Sequence, residues 1–360
     1  MSVDPLLVET AERLLADASR FEVVEAAEAT GWSAEVWDAL AGAGFCWVGV
    51  PETAGGSGGS LEDACALLRA AGAAAAPVPL GETAVLAGWM LSSSGGAVPE
   101  GAPLSVGTGE LVVDGATVSG RLVGVPWGRS VAQVVALATA DPEGSYVVAV
   151  DPAADGVRVE PSTNLAGEPR DTLLLDGVHP VVALPAVPEV SAEALRLRGA
   201  LASAQLMAGA LGAMSRLTVA YTNERRQFGQ PVARFQAVQA HLVHGAQDAA
   251  LALMAAEVAA RQASRADEAA DLSGAWVEIA AARVVAGEAA VSATRAAHQA
   301  HGAMGLTREY PLHHLSRRLW AWSRQWGSTA SWRSALGTGA AAAGADRLYP
   351  TIAAGTAGLG

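Results

Sequence analysis

The chain contains no lysine, so all 23 of its basic side chains are arginines. They are outnumbered by 36 acidic side chains, and the formal net charge is −13. A nucleic-acid-binding surface needs a basic stripe or a run of Lys and Arg, and the sequence has no such run. Nucleic acid is therefore not expected as a partner, and the acidic balance favours solubility without identifying a substrate.

Cysteine and long apolar runs are also scarce. The two cysteines, Cys46 and Cys65, lie in apolar segments and lack metal-ligand spacing, which predicts buried free thiols in a reducing compartment. No run of about 18 uncharged apolar residues predicts a membrane span. The first residues lack a basic segment followed by an apolar one, so no signal peptide is expected. These absences predict a cytoplasmic protein without a membrane partner.

Charged residues make up only 16% of the chain, whereas hydrophobic residues make up 51% and include many alanines. Alanine is the best helix former, so this composition favours helices. A surface with few charges indicates burial in an oligomer interface. An alanine-rich compositional bias explains the same numbers, and the sequence leaves both interpretations open.

The hydrophobic pattern changes three times along the chain. Helical spacing predicts an N-terminal helical domain over 1–102. Short β-branched runs between turn residues predict a small antiparallel β-domain, a barrel or sandwich, over 103–187. Long Ala/Leu-rich helices predict a C-terminal four-helix bundle over 188–345, and a flexible tail is expected over 346–360.

Local signals place several helix ends. Ser33 is a predicted N-cap, and Gly44 a predicted residue just past the end of the same helix. Pro311 is expected to open the fourth helix of the bundle, and the Ala/Gly-rich stretch after Gly337 is expected to fray. The glycine-rich segment 55–59 lacks the Lys-Ser/Thr of a phosphate loop and is interpreted as a turn.

Three segments carry specific motifs. Residues 37–64 contain, in order, Trp, Gly-Phe, Val-Pro-Glu and Gly-Gly-x-Gly. Residues 221–239 contain Arg-x-Gln-Phe-Gly-x-Pro followed by Phe-Gln. Residues 298–318 contain Gln-x-x-Gly-x-x-Gly, then Glu-Tyr-Pro-Leu and an arginine, with Ala303 where the pattern has a second glycine. In this order and over nearly the whole chain, the segments resemble the acyl-CoA dehydrogenase family.

The resemblance implies a mainly α fold in which an N-terminal helical domain, a central β-barrel or sandwich and a C-terminal four-helix bundle follow each other. It also implies an oligomeric FAD flavoprotein of lipid metabolism that acts on acyl-CoA. Arg225 matches the arginine that reaches the FAD pyrophosphate, a group that suits a planar bidentate cation. Phe228 matches the aromatic residue beside the other half of the flavin, and Gln299 and Gly302 match positions near the adenine. Gln236 is either a cofactor contact or a buried structural amide.

Family chemistry needs a carboxylate that removes the α-proton while the β-hydrogen leaves as hydride to the flavin. Two positions supply this glutamate in different branches of the family. Here one position holds Gly199, and the other holds Trp326 or Gly327, depending on a one-residue gap. No catalytic base is therefore assigned from the sequence.

The β-domain also lacks the segments that line the flavin ring in the family. Together these departures resemble the smaller, catalytically reduced chains of two-chain acyl-CoA dehydrogenases that act on steroid side chains. The resulting hypothesis is a subunit for α,β-dehydrogenation of acyl-CoA within a heteromer. Alternatives are a scaffold or binding subunit without flavin, and a flavin monooxygenase on the same fold.

Other candidate groups remain. His298, His301, His313 and His314 are interpreted as scaffold rather than as a zinc site, so no metal is expected. His313 or His314 remains open as a substitute base, because histidine titrates near neutral pH. Trp127 is interpreted as a core or rim residue, with shielding of a flavin as the alternative.

Overall fold

The computed structural model describes residues 3–140, 144–344, 346, 347 and 349. None of the helices in this described part is long and apolar enough to cross a membrane. The chain folds into two units, which interleave along the sequence. The first comprises Met1–Leu67 and Ala76–Gly199, and the second comprises Leu68–Ala75 and Ala200–Gly360.

The N-terminal helices begin at the side-chain caps that their sequences offer. Asp4 caps α1 by accepting a hydrogen bond from the Leu6 amide at 2.9 Å. Ser33 caps α3 by accepting one from the Val36 amide at 3.3 Å, and Gly44 follows with φ 74°, so both predicted signals are confirmed. The helices are α1 (Pro5–Ala18), α2 (Phe21–Ala27), α3 (Ala34–Gly42), α4 (Leu61–Ala73), a π-helix (Gly81–Gly88) and α5 (Trp89–Ser93).

The glycine-rich segment 55–59 is a tight turn, as interpreted from the sequence. Gly55 has φ 85°, and a Cβ on Gly56 would lie 2.1 Å from the Val50 carbonyl oxygen. Glycine is therefore required there by close backbone approach. No periodicity predicted the π-helix that follows α4.

Eight strands form one hydrogen-bonded sheet, which confirms the predicted central β-domain. Their order is β6-β7-β3-β2-β4-β5-β8, with β1 beside β4. The prediction of a purely antiparallel domain is wrong, because β1 and β2 both pair with β4 in parallel. Turn residues predict where strands end but not which strands meet. The strands are β1 (Leu104–Gly107), β2 (Gly109–Asp114), β3 (Thr117–Pro126), β4 (Gln133–Ala140), β5 (Gly144–Val150), β6 (Val157–Glu160), β7 (Arg170–Val178) and β8 (Val182–Pro185).

Trp127 belongs to the core of this sheet. Its side chain is buried, and its indole N–H donates to the Gly31 carbonyl oxygen at 2.8 Å. The Arg170 guanidinium lies 5.1 Å from the ring centroid, a cation–π contact. The core interpretation of this tryptophan is therefore confirmed.

The second unit is built from long helices that pack through small residues. Gly72 has no room for a side chain, because an added Cβ would lie 2.1 Å from the Leu206 carbonyl oxygen. The same holds for Gly209, whose Cβ would lie 1.9 Å from the Arg69 carbonyl oxygen. Gln205 adds hydrogen bonds to Arg69 and to the Ala256 carbonyl, at 2.7 and 2.8 Å. The elements that follow the sheet are α6 (Ala192–Glu224), whose first residues belong to the first unit, and then β9 (Arg226–Gln227), β10 (Gln230–Pro231), α7 (Gln236–Glu268), α8 (Trp276–His301), α9 (Leu312–Trp322) and α10 (Thr329–Ala343).

The helix α10 corrects the expectation of fraying after Gly337, because it continues to Ala343. Ser328 caps its first turn, the buried Trp332 anchors it, and Arg333 pairs with Glu288. Pro311 directly precedes α9, in keeping with its predicted place at a helix start. The domain boundaries at 102 and 187 stay predictions, and the tail 346–360 lies outside the described residues except for 346, 347 and 349.

Candidate functional site

The ends of α6 and α8 meet in an aromatic cluster of the second unit. The Tyr221 ring stacks on His301 with 4.4 Å between centroids, and its hydroxyl donates to the His301 carbonyl oxygen at 3.3 Å. Tyr310 packs against both rings at 5.4 and 5.1 Å. This contact brings the motif of residues 221–239 next to the motif of residues 298–318.

A two-stranded hairpin leaves α6 at Arg225, whose amide still bonds to the Tyr221 carbonyl. At the tip, Phe228 and Gly229 have φ 50° and 80°, and left-handed backbone is unusual for a bulky residue. The Phe228 side chain is 92% exposed. It touches Phe235 edge-on at 6.1 Å between ring centroids. The Arg225 side chain is also exposed.

The remaining predicted cofactor residues lie at the same end of the unit. Gln236 is the first residue of α7, and it is exposed, so the interpretation as a buried structural amide is wrong. Gln299 is exposed in the last turn of α8. Gly302 ends this helix with φ 61°, and a Cβ built there would meet nothing within 4 Å. The five predicted cofactor residues therefore gather, all exposed, around one end of the second unit.

Two histidines lie beside this end with buried nitrogen atoms. His301 Nδ1 lies 2.8 Å from the Ala297 carbonyl oxygen, so it carries the proton and Nε2 is left as an acceptor. His301 Nε2 has no hydrogen-bond partner among the described residues. Burial lowers the pKa of both His298 and His301, which keeps the imidazoles neutral. A Cβ on Gly305 would lie 2.9 Å from His301 Cβ, which explains the glycine.

The two positions that the sequence resemblance matches to the catalytic carboxylate differ in their surroundings. Gly199 is buried inside α6. Trp326 and Gly327 lie in the turn 323–328 between α9 and α10, with φ 55° and 101°. Trp326 is half-buried, whereas a Cβ on Gly327 would lie 2.8 Å from Trp332 Nε1.

A buried arginine holds this turn. Nη2 of Arg283, in α8, donates to the carbonyl oxygens of Ser323, Gln325 and Gly327 at 3.2, 2.9 and 3.0 Å. Burial lowers the pKa of Arg283 to about 10, but the guanidinium stays charged at neutral pH. Sequence reasoning missed Arg283, because only the fold shows that it is buried against this turn.

His313 and His314 lie in α9, with ring centroids 4.0 Å apart. His314 is buried, and His313 Nδ1 lies 2.9 Å from the Tyr310 carbonyl oxygen. A role as substitute base stays untested for either residue.

The sequence also missed Glu82, which is 7% exposed in the π-helix of the first unit. Burial raises its pKa to about 7, while the nearby Arg170 acts in the opposite direction. Its position three residues after a proline in an apolar stretch gave no signal of function.

Two family descriptions match most of the chain. Residues 5–97 match the N-terminal domain of acyl-CoA dehydrogenases, and residues 192–333 match their C-terminal domain. The central sheet lies between these matches.

Similar proteins include two from Mycobacterium tuberculosis. Over 310 residues the chain is 33% identical to acyl-CoA dehydrogenase FadE28, with 77% of this chain and 84% of that protein covered. Over 304 residues it is 34% identical to acyl-CoA dehydrogenase FadE34, with 82% of this chain covered. The match spans only 40% of the length of FadE34.

A similar solved structure is that of the ChsE4-ChsE5 complex from Mycobacterium tuberculosis. The superposition has a TM-score of 0.83 and covers 93% of this chain and 96% of the other, at 22% identity. This likeness shows a shared fold.

Proposed function

Since the chain belongs to the acyl-CoA dehydrogenase family, we propose that it is an FAD-linked oxidoreductase subunit. It takes part in the α,β-dehydrogenation of acyl-CoA thioesters within a heteromer. The observation that carries this proposal is the exposed set at one end of the second unit: Arg225, Phe228, Gln236, Gln299 and Gly302. The described part of the chain does not bury these side chains in its own core.

The donor set fits a flavin dinucleotide. The exposed Arg225 guanidinium suits a pyrophosphate, because its planar fork forms paired charge-assisted hydrogen bonds. Phe228 offers an almost fully open ring, and Gln236 and Gln299 offer amides that donate and accept. The space above Gly302 lets a ligand approach the backbone. When bound, FAD would accept the β-hydride of the thioester.

The α-proton needs a base, and the positions that supply it in the family hold Gly199 and Trp326 or Gly327. None of these residues accepts a proton at neutral pH. In this proposal the base comes from a partner chain of the same family, and this chain contributes cofactor contacts and a helical scaffold. Each reaction then removes one proton to the partner's base and one hydride to FAD, which yields the enoyl-CoA.

The surface of α7 supports a partner. Between Gln236 and Ala256 the sequence has one formally charged residue, Asp248. Large apolar side chains are exposed along this helix, at 38% to 59% of their surface. Exposed apolar surface of this extent is typical of interaction sites. These side chains are Val243, Leu251, Leu253, Met254 and Val258.

Similar proteins support the same assembly. More than half of FadE34 lies outside the match to this chain, which leaves room for a second chain of the same kind. The similar solved structure is a complex, named for ChsE4 and ChsE5. We propose that this chain likewise pairs with a second acyl-CoA dehydrogenase chain.

The visible absorbance spectrum tests the proposal, measured on the chain alone and on the chain co-expressed with a second acyl-CoA dehydrogenase chain. We expect a flavin band in the co-purified pair, and bleaching of that band when an acyl-CoA is added. A band without bleaching in the pair would contradict the dehydrogenase proposal. No flavin in either preparation would favour the scaffold subunit, which the two missing carboxylates also support. Oxygen insertion into a product would favour the monooxygenase.

A further inference from the structure

Two aromatic residues link the two segments that carry the proposed cofactor contacts. The Tyr221 ring lies nearly parallel to the His301 ring, with 4.4 Å between centroids and 21° between the planes. The Tyr221 hydroxyl donates to the carbonyl oxygen of the peptide that joins His301 to Gly302. Stacking and hydrogen bonding therefore hold the end of α6 against the end of α8.

The Arg225 hairpin is anchored on the turn of α6 that carries Tyr221. The Arg225 amide donates to the Tyr221 carbonyl oxygen at 2.9 Å, and the Arg225 carbonyl oxygen accepts from the Val232 amide at 2.8 Å. At a helical rise of about 1.5 Å per residue, Arg225 lies about 6 Å beyond Tyr221 along the axis. The position of the Arg225 backbone therefore follows that of Tyr221.

The turn 302–306, which follows α8, is anchored in a similar way on His301. A Cβ on Gly305 would lie 2.9 Å from His301 Cβ and 3.2 Å from Leu312 Cδ2, so the turn packs closely over the histidine and α9. Gln299 and Gly302 lie within two residues of His301. The backbone of both residues therefore follows the place of this histidine.

The His301 ring is held from several sides. Its Nδ1 donates to the Ala297 carbonyl oxygen at 2.8 Å, and the side chain is 4% exposed. Tyr310 packs against the rings of both His301 and Tyr221. Burial lowers the pKa of His301, so the ring is neutral at pH 7 and stacks on Tyr221 without a charge that needs solvation.

We propose that Tyr221 is a positioning residue for FAD, which acts by locking the turn 302–306 to the Arg225 hairpin through His301. The proposal rests on the proposed function, which gives FAD contacts to both segments. A ligand held by two segments binds more tightly when they are ordered beforehand, because binding then costs less conformational entropy. This role requires no contact between Tyr221 and the ligand.

Hydrogen–deuterium exchange of the full chain without flavin tests the link. Tyr221→Phe removes the hydroxyl and keeps the ring, so we expect amide exchange over 302–306 to rise about threefold. Tyr221→Leu also removes the stacking and should raise it about tenfold. Exchange in α10, which packs against α8 near Gly287, should stay unchanged.

Tyr310→Phe is the matched control. It removes a hydroxyl from a ring of the same cluster and leaves the hydrogen bond between Tyr221 and His301 in place. Exchange over 302–306 should therefore match that of the unmutated chain. Because Tyr221→Phe keeps the packed ring, it also tests the link if Tyr221→Leu fails to fold.

Flavin fluorescence titration of the co-purified heteromer, after removal of its flavin, tests the positioning. We expect FAD affinity to fall about threefold in Tyr221→Phe and about tenfold in Tyr221→Leu, and to stay unchanged in Tyr310→Phe. Gln299→Ala completes a double-mutant cycle. If Tyr221 positions the turn, Tyr221→Leu already misplaces Gln299, so the double variant should lose less affinity than the product of the two single losses.

Each contrary result has a separate meaning. Unchanged exchange over 302–306 in both Tyr221 variants, or an equal rise in α10, would overturn the link. Unchanged FAD affinity in both variants, or losses that multiply with that of Gln299→Ala, would overturn the positioning role. An unmutated heteromer that does not bind FAD would overturn the proposed function itself, whereas the exchange results would still decide whether Tyr221 holds the turn.

Discussion

The indole N–H of Trp332 donates to the carbonyl oxygen of Trp326 at 3.0 Å, across the residue at which the chain turns from α9 to α10. The intervening Gly327 has φ 101°, and a Cβ built there would lie 2.8 Å from the same indole nitrogen. A single glycine therefore permits both the turn and the hydrogen bond that closes it.

The two residues that share this turn should tolerate substitution differently. Gly327→Glu should lower the free energy of unfolding by about 1–3 kcal/mol, because it adds left-handed strain and a clash with Trp332. Trp326→Glu should cost less, because the side chain is half-exposed. Urea denaturation followed by far-UV circular dichroism measures both. Gly337→Ala is the control: its Cβ meets nothing within 4 Å, so it should be neutral or stabilising.

Glu82 should make stability fall as pH rises. Burial raises its pKa from 4.5 to about 7, so between these values the folded chain binds a proton that the unfolded chain has lost. The free energy of unfolding therefore decreases through this window, by on the order of 3 kcal/mol, and the penalty remains above pH 7.

Glu82→Gln isolates this effect, because glutamine does not titrate. The stability of the wild-type chain relative to the variant should fall from pH 4.5 to pH 8 in urea denaturation. The buried histidines act oppositely: their lowered pKa values make stability drop as pH falls below 6.5, equally in both proteins. A pH-independent difference would contradict the buried-acid interpretation.

Arg225 should affect flavin binding and little else. Arg225→Met removes charge-assisted hydrogen bonds to a pyrophosphate, so we expect FAD affinity of the heteromer to fall about ten- to a hundredfold. Thermal stability without flavin should not change, because the side chain is exposed. Flavin fluorescence titration of the apoprotein measures the affinity. An equal loss of FAD affinity in Arg226→Met would show that the affinity depends on the general positive charge of the hairpin and not on Arg225 itself.

The apolar face of α7 should control assembly. Met254→Lys places a charge on a side chain that is 59% exposed in the single chain. If this face is buried by a partner, desolvation of the charge should weaken association by at least about tenfold. Analytical ultracentrifugation of the co-purified chains measures it. Leu6→Lys is the control, because Leu6 is 68% exposed in the first unit, outside the proposed interface. If the heteromer stays intact with Met254→Lys, this face of α7 is not part of the interface with the partner chain.

Local signals determined where many elements begin. Ser33 was predicted as an N-cap, and its hydroxyl accepts a hydrogen bond from the Val36 amide in the first turn of α3. Pro311 directly precedes α9. Such signals work because caps and prolines act on atoms within a few residues. The fraying predicted after Gly337 was wrong, since the burial of Trp332 depends on residues far along the chain.

The sequence by itself determined the order of helices, sheet and helices, and the motifs that indicate the family, because periodicity and short spacings are properties of the linear chain. Only the tertiary structure decided that β1 and β2 run parallel to β4, and that Arg225 and Gly302 lie at one end of the second unit. It also showed that Arg283 holds a turn more than 40 residues away. Strand pairing and buried charge depend on which distant segments exclude water together, and no local pattern records that choice.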